Sequence, residues 1–183
     1  MVSSVGRALR SHRRGRWFES NTIHHYFNNM NNTAFFKTPC GTVRATERDG
    51  TILELIFVDA GDSATNKNLS PVLGRLEKWL HDFFDGKNPC ADFKLNPCGT
   101  EFQKSVWNAC SKIPYGKTKT YGDIAREIAS APRAVGGALS KNPIVLIVPC
   151  HRIVGAAGLR GYCGLSDWGI GTKKFLLELE SNL

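Results

Sequence analysis

One short stretch of the 183-residue chain places a thiol, an imidazole and a guanidinium side by side. It reads Pro149-Cys150-His151-Arg152 and follows the apolar run 144–148. A cysteine becomes a nucleophile when its thiolate is stabilised, often by nearby positive charge, which lowers the thiol pKa below about 8.5. Cys150 is therefore a candidate nucleophile.

The backbone must bend here if the thiol and the imidazole are to act together, because neighbouring side chains on a straight strand point to opposite faces. A bridging water is the alternative to a bend. Pro149 favours the bend, since its ring fixes φ and it cannot continue a central strand ladder. The competing interpretation is that Cys150 is a buried, inert cysteine and that His151 and Arg152 form a surface pair.

Composition indicates a folded protein with a polyanionic partner. The chain is 42% hydrophobic, as globular proteins are, and it carries a formal net charge of +8. No apolar run approaches the ~20 residues that cross a membrane, so we expect no membrane partner. None of the six cysteines forms a Cys-x-x-Cys pair or a zinc-type spacing with histidine. We therefore expect no metal, and reduced thiols in a cytoplasmic protein, or a nuclear one in a eukaryote.

The segment 1–29 differs from the rest of the chain. It is rich in arginine and serine, has Glu19 as its single acidic residue, and shows no hydrophobic periodicity. It could be a transit peptide, or a basic arm that holds nucleic acid. We favour a third interpretation, because the segment resembles a peptide translated from a transfer-RNA gene. Met30 is then the expected start of the protein, and we expect the segment to be disordered.

Residues 30–96 predict a small α/β unit. A helix begins with Ser70 as N-cap and Pro71 at its first position, and it ends at Gly86. The turn-rich passage 88–98 indicates a domain boundary. Three short strands separated by turn residues are predicted at 34–38, 42–46 and 51–58.

Residues 97–183 predict a mainly helical unit. Two capping boxes, Thr100 with Gln103 and Thr120 with Asp123, each begin a helix. The helix 121–128, the short turn 129–132 and a helix from 133 to about 141 follow the helix-turn-helix pattern, whose second helix enters a DNA groove. We expect the last helix at 173–180, after extra loop residues at 165–171.

The second helix of this pair has a face almost free of side chains. Gly136 and Gly137 each cost about 1 kcal/mol relative to alanine in a helix interior. Together with Ala134 and Ala138 they allow another structure to approach the helix closely. This structure is either a second helix or the minor groove of DNA, in which case Arg133 projects from the start of the helix.

Several motifs together resemble one family, the O6-alkylguanine-DNA alkyltransferases, also called methylated-DNA–protein-cysteine methyltransferases. The resemblance covers residues 99–180. The chain departs from the family in the short turn before Arg133 and in the extra residues 165–171. The matching motifs are Phe102-Gln103, Val106-Trp107, Ile113-Pro114-Tyr115-Gly116, Thr118, Tyr121-Gly122-Asp123-Ile124-Ala125, Arg133-Ala134-Val135-Gly136-Gly137-Ala138, Asn142-Pro143 and Pro149-Cys150-His151-Arg152-Ile153-Val154.

The resemblance implies an α+β fold, with a ribonuclease-H-like α/β domain at 30–96 and a winged-helix-like helix-turn-helix domain at 97–183. It also implies transfer of a methyl or alkyl group from guanine O6 in DNA to Cys150, once per molecule and without a cofactor. His151 would act as the base through a water, and Glu180 would orient the imidazole.

The family also implies roles for residues around this centre. Asn142 would hold the turn at the cysteine, and Tyr121 would hydrogen-bond the guanine and contact the rotating phosphate. Arg133 would fill the gap left by a flipped-out base. The remaining expected contacts are Ala134, Gly136 and Gly137 with DNA, and Ile153, Tyr162 and Cys163 with the guanine.

The expected partner is double-stranded DNA that contains O6-alkylguanine, or alternatively O4-alkylthymine, and we expect a monomer. Two other function classes remain open. A binding-only relative would flag alkylguanine without repairing it, but such relatives replace the cysteine. A thiol hydrolase would use Cys150 and His151 and would leave the helix-turn-helix unexplained.

Overall fold

The computed structural model describes residues 31–58, 68–159 and 167–181. The segment 1–29, for which three interpretations were open, lies outside the described residues. So do Tyr162 and Cys163, the two residues expected in the substrate-pocket loop.

The N-terminal half contains an antiparallel sheet with the strand order β1-β2-β3, so the three predicted strands are confirmed. The tight turns between them use left-handed backbone, at Gly41 with φ 118° and at Gly50 with φ 75°. Glycine adopts this conformation at little cost. The strands are β1 (Asn32–Thr38), β2 (Gly41–Arg48) and β3 (Thr51–Val58).

One helix, α1 (Pro71–Phe84), packs on this sheet. The hydroxyl of Ser70 accepts a hydrogen bond from the Leu73 amide, which confirms Ser70 as the N-cap. Proline is tolerated at the first helical position because its missing N–H would have no partner there. The buried face of α1 carries Val72, Leu73, Leu76, Trp79, Leu80 and Phe83.

The C-terminal half is mainly helical, and both predicted capping boxes are present. Its helices are α2 (Glu101–Ser111), α3 (Tyr121–Glu127), α4 (Pro132–Leu139) and α5 (Asp167–Ser181). A short parallel pair joins β4 (Lys119–Thr120) to β5 (Ile153–Val154). The segment Cys150–Arg152 forms one 3-10 turn between α4 and β5.

The expected bounds of two helices were wrong. The last helix begins at Asp167, six residues before the expected start, so residues 167–171 are helical. Gly169 and Gly171 have low helix propensity, but most helical stability in proteins comes from packing one face of the helix. The helix α4 begins one residue earlier than expected, with Pro132 in its first turn, and ends at Leu139.

The two halves share a hydrophobic core and backbone hydrogen bonds. The edge of β3 that does not face β2 pairs with two segments of the C-terminal half. The Leu55 amide donates to the Pro143 carbonyl, and the Val145 amide donates to the Leu55 carbonyl, both at 2.8 Å. Further along the same edge, Ile52 pairs with Leu95 in the turn-rich passage 88–98. The sheet therefore supports the chain just before Cys150.

Candidate active site

The chain bends at the position where Pro149 predicted a bend. The apolar run 144–148 is buried but forms turns rather than a strand, with Leu146 at φ 69°. After Pro149 the chain continues into the 3-10 turn that carries Cys150 and His151. A straight strand would have directed these two side chains to opposite faces of a sheet.

The side-chain amide of Asn142 holds this turn in place and contacts the thiol. Its Nδ2 lies within donor distance of the Val148 carbonyl oxygen, at 2.9 Å, and of Cys150 Sγ, at 3.3 Å. Its Oδ1 accepts from the Ile144 amide at 3.0 Å. A donor aimed at sulfur favours the thiolate over the thiol. Asn142 therefore positions the sulfur and supplies part of its stabilisation.

His151 lies in the core with an exposure of 0%, so the interpretation of a surface His-Arg pair is wrong. Its Nε2 lies 2.9 Å from Glu180 Oε1. Burial raises the pKa of Glu180, but hydrogen bonds from His151 and Arg152 outweigh it and bring that pKa to about 2. Glu180 is therefore an ionised acceptor, and a neutral His151 carries its proton on Nε2. This leaves Nδ1 as the basic nitrogen.

Burial also lowers the pKa of His151, against the opposing effect of Glu180. A histidine pKa below its usual 6.5 leaves the imidazole neutral at pH 7, which is the form that can accept a proton. The pair is therefore ready to act as a base and its orienting carboxylate.

Arg152 binds the same Glu180 carboxylate as the imidazole. Its Nε and Nη2 donate hydrogen bonds of 2.8–3.1 Å to the carboxylate oxygens. Its Nη1 donates to the Ile113 carbonyl at 2.7 Å. The guanidinium carbon lies 5.5 Å from the centroid of the Tyr115 ring. The Gly116 amide donates to Glu180 Oε2 at 3.1 Å. Three residues, His151, Arg152 and Gly116, thus hold one carboxylate in place.

Sequence reasoning missed Lys173, which is 1% exposed. Its Nζ donates to the Ile153 carbonyl at 2.6 Å and lies 5.8 Å from the centroid of the Tyr121 ring. Burial lowers the pKa of Lys173 to about 8, opposed by the negative charge of the Cys150 thiolate and then by Cys110. A signal was available, because Lys173 and Glu180 are seven residues apart and lie on one face of α5. Cys110 is fully buried and packs in the core as a small residue.

The helix α4 exposes only part of the predicted face without side chains. Arg133, Ala134 and Gly137 are exposed, and a Cβ added at Gly137 would meet nothing within 4 Å. Ala138 is instead buried, and its carbonyl accepts from Trp107 Nε1 at 2.9 Å. Close packing therefore explains Ala138, whereas Gly137 faces open space.

Gly136 differs from Gly137, since its added Cβ would lie 3.7 Å from the Tyr121 ring. Tyr121 begins α3, and burial raises its pKa, with a further contribution from the charge of Cys150. Ile153 is buried in β5, and its carbonyl is engaged by Lys173. The structure thus places Tyr121, Ile153 and Gly136 around the centre that contains Cys150.

Comparison with known proteins identifies the family of the chain. Residues 101–182 match the family described as "6-O-methylguanine DNA methyltransferase, DNA binding domain". A methylated-DNA–protein-cysteine methyltransferase of Mycolicibacterium paratuberculosis is 39% identical over 150 residues, which cover 78% of this chain and 88% of that protein. The chain belongs to the methylated-DNA–protein-cysteine methyltransferase family.

Two further members of the methyltransferase family are similar to this chain. The methylated-DNA–protein-cysteine methyltransferase of Methanosarcina acetivorans is 54% identical over 106 residues, which cover 56% of this chain and 65% of that relative. The crystal structure of Mycobacterium tuberculosis OGT in complex with DNA has a TM-score of 0.70 and 38% identity, covering 81% of this chain and 92% of that chain. The mixed α/β architecture is shared with these structures. Within the described residues, no helix is long and apolar enough to span a membrane.

Proposed function

We propose that this protein repairs DNA by transferring a methyl or alkyl group from the O6 of guanine to Cys150 Sγ. The observation that carries the proposal is the buried arrangement of Cys150, braced by Asn142, beside a His151 whose Nε2 lies 2.9 Å from Glu180. The homologues named as methylated-DNA–protein-cysteine methyltransferases support the same reaction.

The proposed chemistry begins with removal of the thiol proton by His151 Nδ1 through a water, while Glu180 balances the resulting imidazolium. The sulfur then attacks the alkyl carbon, so that an S–C bond forms as the C–O6 bond breaks. Guanine leaves with the electron pair and takes up a proton, helped by a hydrogen bond from the Tyr121 hydroxyl. The thioether is stable to water, so each molecule acts once.

DNA binding is proposed through α4 in the minor groove. Gly137 and Ala134 leave room for the sugar-phosphate walls, and Arg133 at the start of α4 would enter the space of the extruded base. The OGT–DNA complex supports DNA as the partner. Ile153, with Tyr162 and Cys163, would read the guanine edge. The Ile153 carbonyl has a second lone pair available beside the Lys173 bond.

The finer architecture follows the same family. We infer a ribonuclease-H-like domain at 30–96 and a winged-helix-like catalytic domain at 97–183, with 1–29 as a segment outside both. The three-stranded sheet with α1 supports the first domain, and the α3–α4 pair supports the second. We also infer a monomer in the cytoplasm, or in the nucleus of a eukaryote.

The test is incubation with duplex DNA that carries a radiolabelled O6-methylguanine. We expect the label to move to the protein with a stoichiometry of one, and not to be released on prolonged incubation. Label that stays on bound DNA would identify a binding-only protein. Unbound, unchanged DNA would contradict the proposal and favour the hydrolase. A second duplex with O4-methylthymine tests the alternative substrate.

A further inference from the structure

The helix α1 of the N-terminal half reaches the active site. The Phe83 side chain is 2% exposed, and its ring centroid lies 6.4 Å from that of His151 with an interplanar angle of 75°. The same ring lies edge-on to Tyr115 at 6.1 Å, and Tyr115 contacts the Arg152 guanidinium. The Phe83 ring thus contacts both His151 and Tyr115, and Tyr115 in turn packs on Arg152.

We propose that Phe83 is a positioning residue for His151, so that the N-terminal half completes the active site of the C-terminal half. Phe83 lies outside the region 101–182 that matches the family's DNA-binding domain. This inference rests on the proposed function, because it assigns His151 the role of base.

The geometry gives Phe83 a defined effect on the imidazole. Glu180 binds the ring at Nε2, and packing by a neighbouring ring limits rotation of the imidazole about its Cβ–Cγ bond. Phe83 packs against the ring at an angle of 75° and blocks this rotation. Phe83 therefore restricts the direction in which Nδ1 points.

Phe83 is itself held firmly. It stacks on Trp79 with centroids 5.3 Å apart, and Phe84 packs edge-on against it at 5.2 Å. Offset-stacked and edge-to-face arrangements are the favoured geometries of aromatic pairs, so both contacts stabilise the position of the Phe83 ring. The aromatic cluster therefore gives α1 a fixed surface for the imidazole.

A second connection joins the N-terminal half to the other side of the site. The Leu55 backbone in β3 binds Pro143 and Val145, directly after Asn142, which contacts Cys150 Sγ. The sheet thus supports Asn142, which contacts the nucleophile, while α1 supports His151. Both supports come from residues before position 101.

The electrostatic surroundings of His151 give the proposal a distinctive pH signature. The charged groups that face the imidazole are Glu180 and Lys173 from α5 and Arg152 from the 3-10 turn, with Cys150 beside them. Phe83 excludes water from the ring. Admitting water lessens the penalty on the imidazolium, so more His151 is protonated at a given pH.

The experiment compares Phe83→Leu with Phe36→Leu in the full chain. Both substitutions remove a buried phenyl ring, but Phe36 lies in β1 and lines a cavity whose lining does not include His151. Single-turnover methyl transfer and duplex affinity are measured between pH 5.5 and 8.5. We expect Phe83→Leu to slow transfer at least about tenfold, since a misplacement of 1 Å can cost 10²-fold. Its acidic limb should move to higher pH with unchanged duplex affinity, whereas Phe36→Leu should match the parent.

Leu80→Ala controls for lost stability, because Leu80 is buried on α1 and lines the same cavity near β1. NMR titration of the His151 ring, which needs no activity, should show a raised pKa only in Phe83→Leu. The proposal is overturned if Phe83→Leu keeps the parent rate and titration, or if Leu80→Ala reproduces both changes. A parent protein that transfers no methyl group overturns the proposed function instead, and the NMR titration still decides the role of Phe83.

Discussion

Arg152 and Glu180 form a buried, bidentate ion pair, in which Arg152 Nη2 lies 2.8 Å from Glu180 Oε1. The same carboxylate oxygen is 2.9 Å from His151 Nε2. Glu180 is therefore shared between a permanent cation and the imidazole. Because Arg152 keeps the carboxylate ionised, Glu180 stays available as an acceptor when His151 takes up a proton.

Glu180→Gln should remove a contribution to stability that depends on pH. A carboxyl pKa lowered from 4.5 to about 2 stabilises the fold above the unfolded pKa, and this contribution is lost as pH falls from 4.5 through 2. The difference in free energy of unfolding between parent and variant, on the order of 3 kcal/mol at pH 7, should shrink over that interval. Urea unfolding at several pH values measures it, and a constant difference would contradict the assignment.

Cys150→Ser should abolish methyl transfer and spare DNA binding, because a hydroxyl is nearly the same size but a poor nucleophile at neutral pH. Mass spectrometry of the reacted parent should find one added methyl group, on the peptide that contains Cys150. A methyl group on Cys110 or Cys163 would show that the acceptor has been misassigned.

Lys173→Met should slow alkyl transfer about tenfold, because it removes a buried positive charge near the thiolate, and one pKa unit is worth a factor of ten. Lys174→Met is the matched control, since Lys174 is exposed and pairs with Glu178 across one helical turn. The rate of Cys150 alkylation by iodoacetamide against pH provides the readout without DNA. Equal alkylation rates in the two variants would show that Lys173 does not stabilise the Cys150 thiolate.

Gly137→Ala should stabilise α4 by up to about 1 kcal/mol while weakening duplex binding at least about tenfold. The added methyl group meets nothing within 4 Å in the protein, so any loss of affinity must come from the approaching DNA. Gly74→Ala, in α1, is an equally open helical glycine and serves as the control. Unchanged affinity in Gly137→Ala would exclude close approach of DNA to this face. Binding of the parent should also weaken as salt rises.

Arg133→Ala should slow repair in duplex DNA much more than it weakens binding, because the arginine offsets part of the few kcal/mol that base flipping costs. The defect should shrink opposite a mismatch or in single strands, and vanish for the free modified base. Arg133→Lys should rescue only partly, since lysine lacks the planar guanidinium. An equal loss on free base and on duplex would place Arg133 in support of the active site.

The elements that could be predicted from sequence are those whose causes are local. Ser70 with Pro71, and Thr100 with Gln103, begin helices through contacts within four residues, and both starts are confirmed. The bend at Pro149 likewise follows from one fixed backbone angle. The predicted start of α5 was wrong, because the packing of the buried face of this helix outweighs the low helix propensity of Gly169 and Gly171.

The sequence by itself determined the family and the order of the helices and proposed Cys150 as the nucleophile, since each depends on residues adjacent in the chain. Only the tertiary structure decided that Lys173 reaches the Ile153 carbonyl, and that Phe83 packs on His151 across 68 positions of sequence. It also decided that Arg152 faces Glu180 rather than the solvent. Contacts between distant residues depend on how whole elements pack, and hydrophobic periodicity shows which face of an element is buried but not what it is buried against.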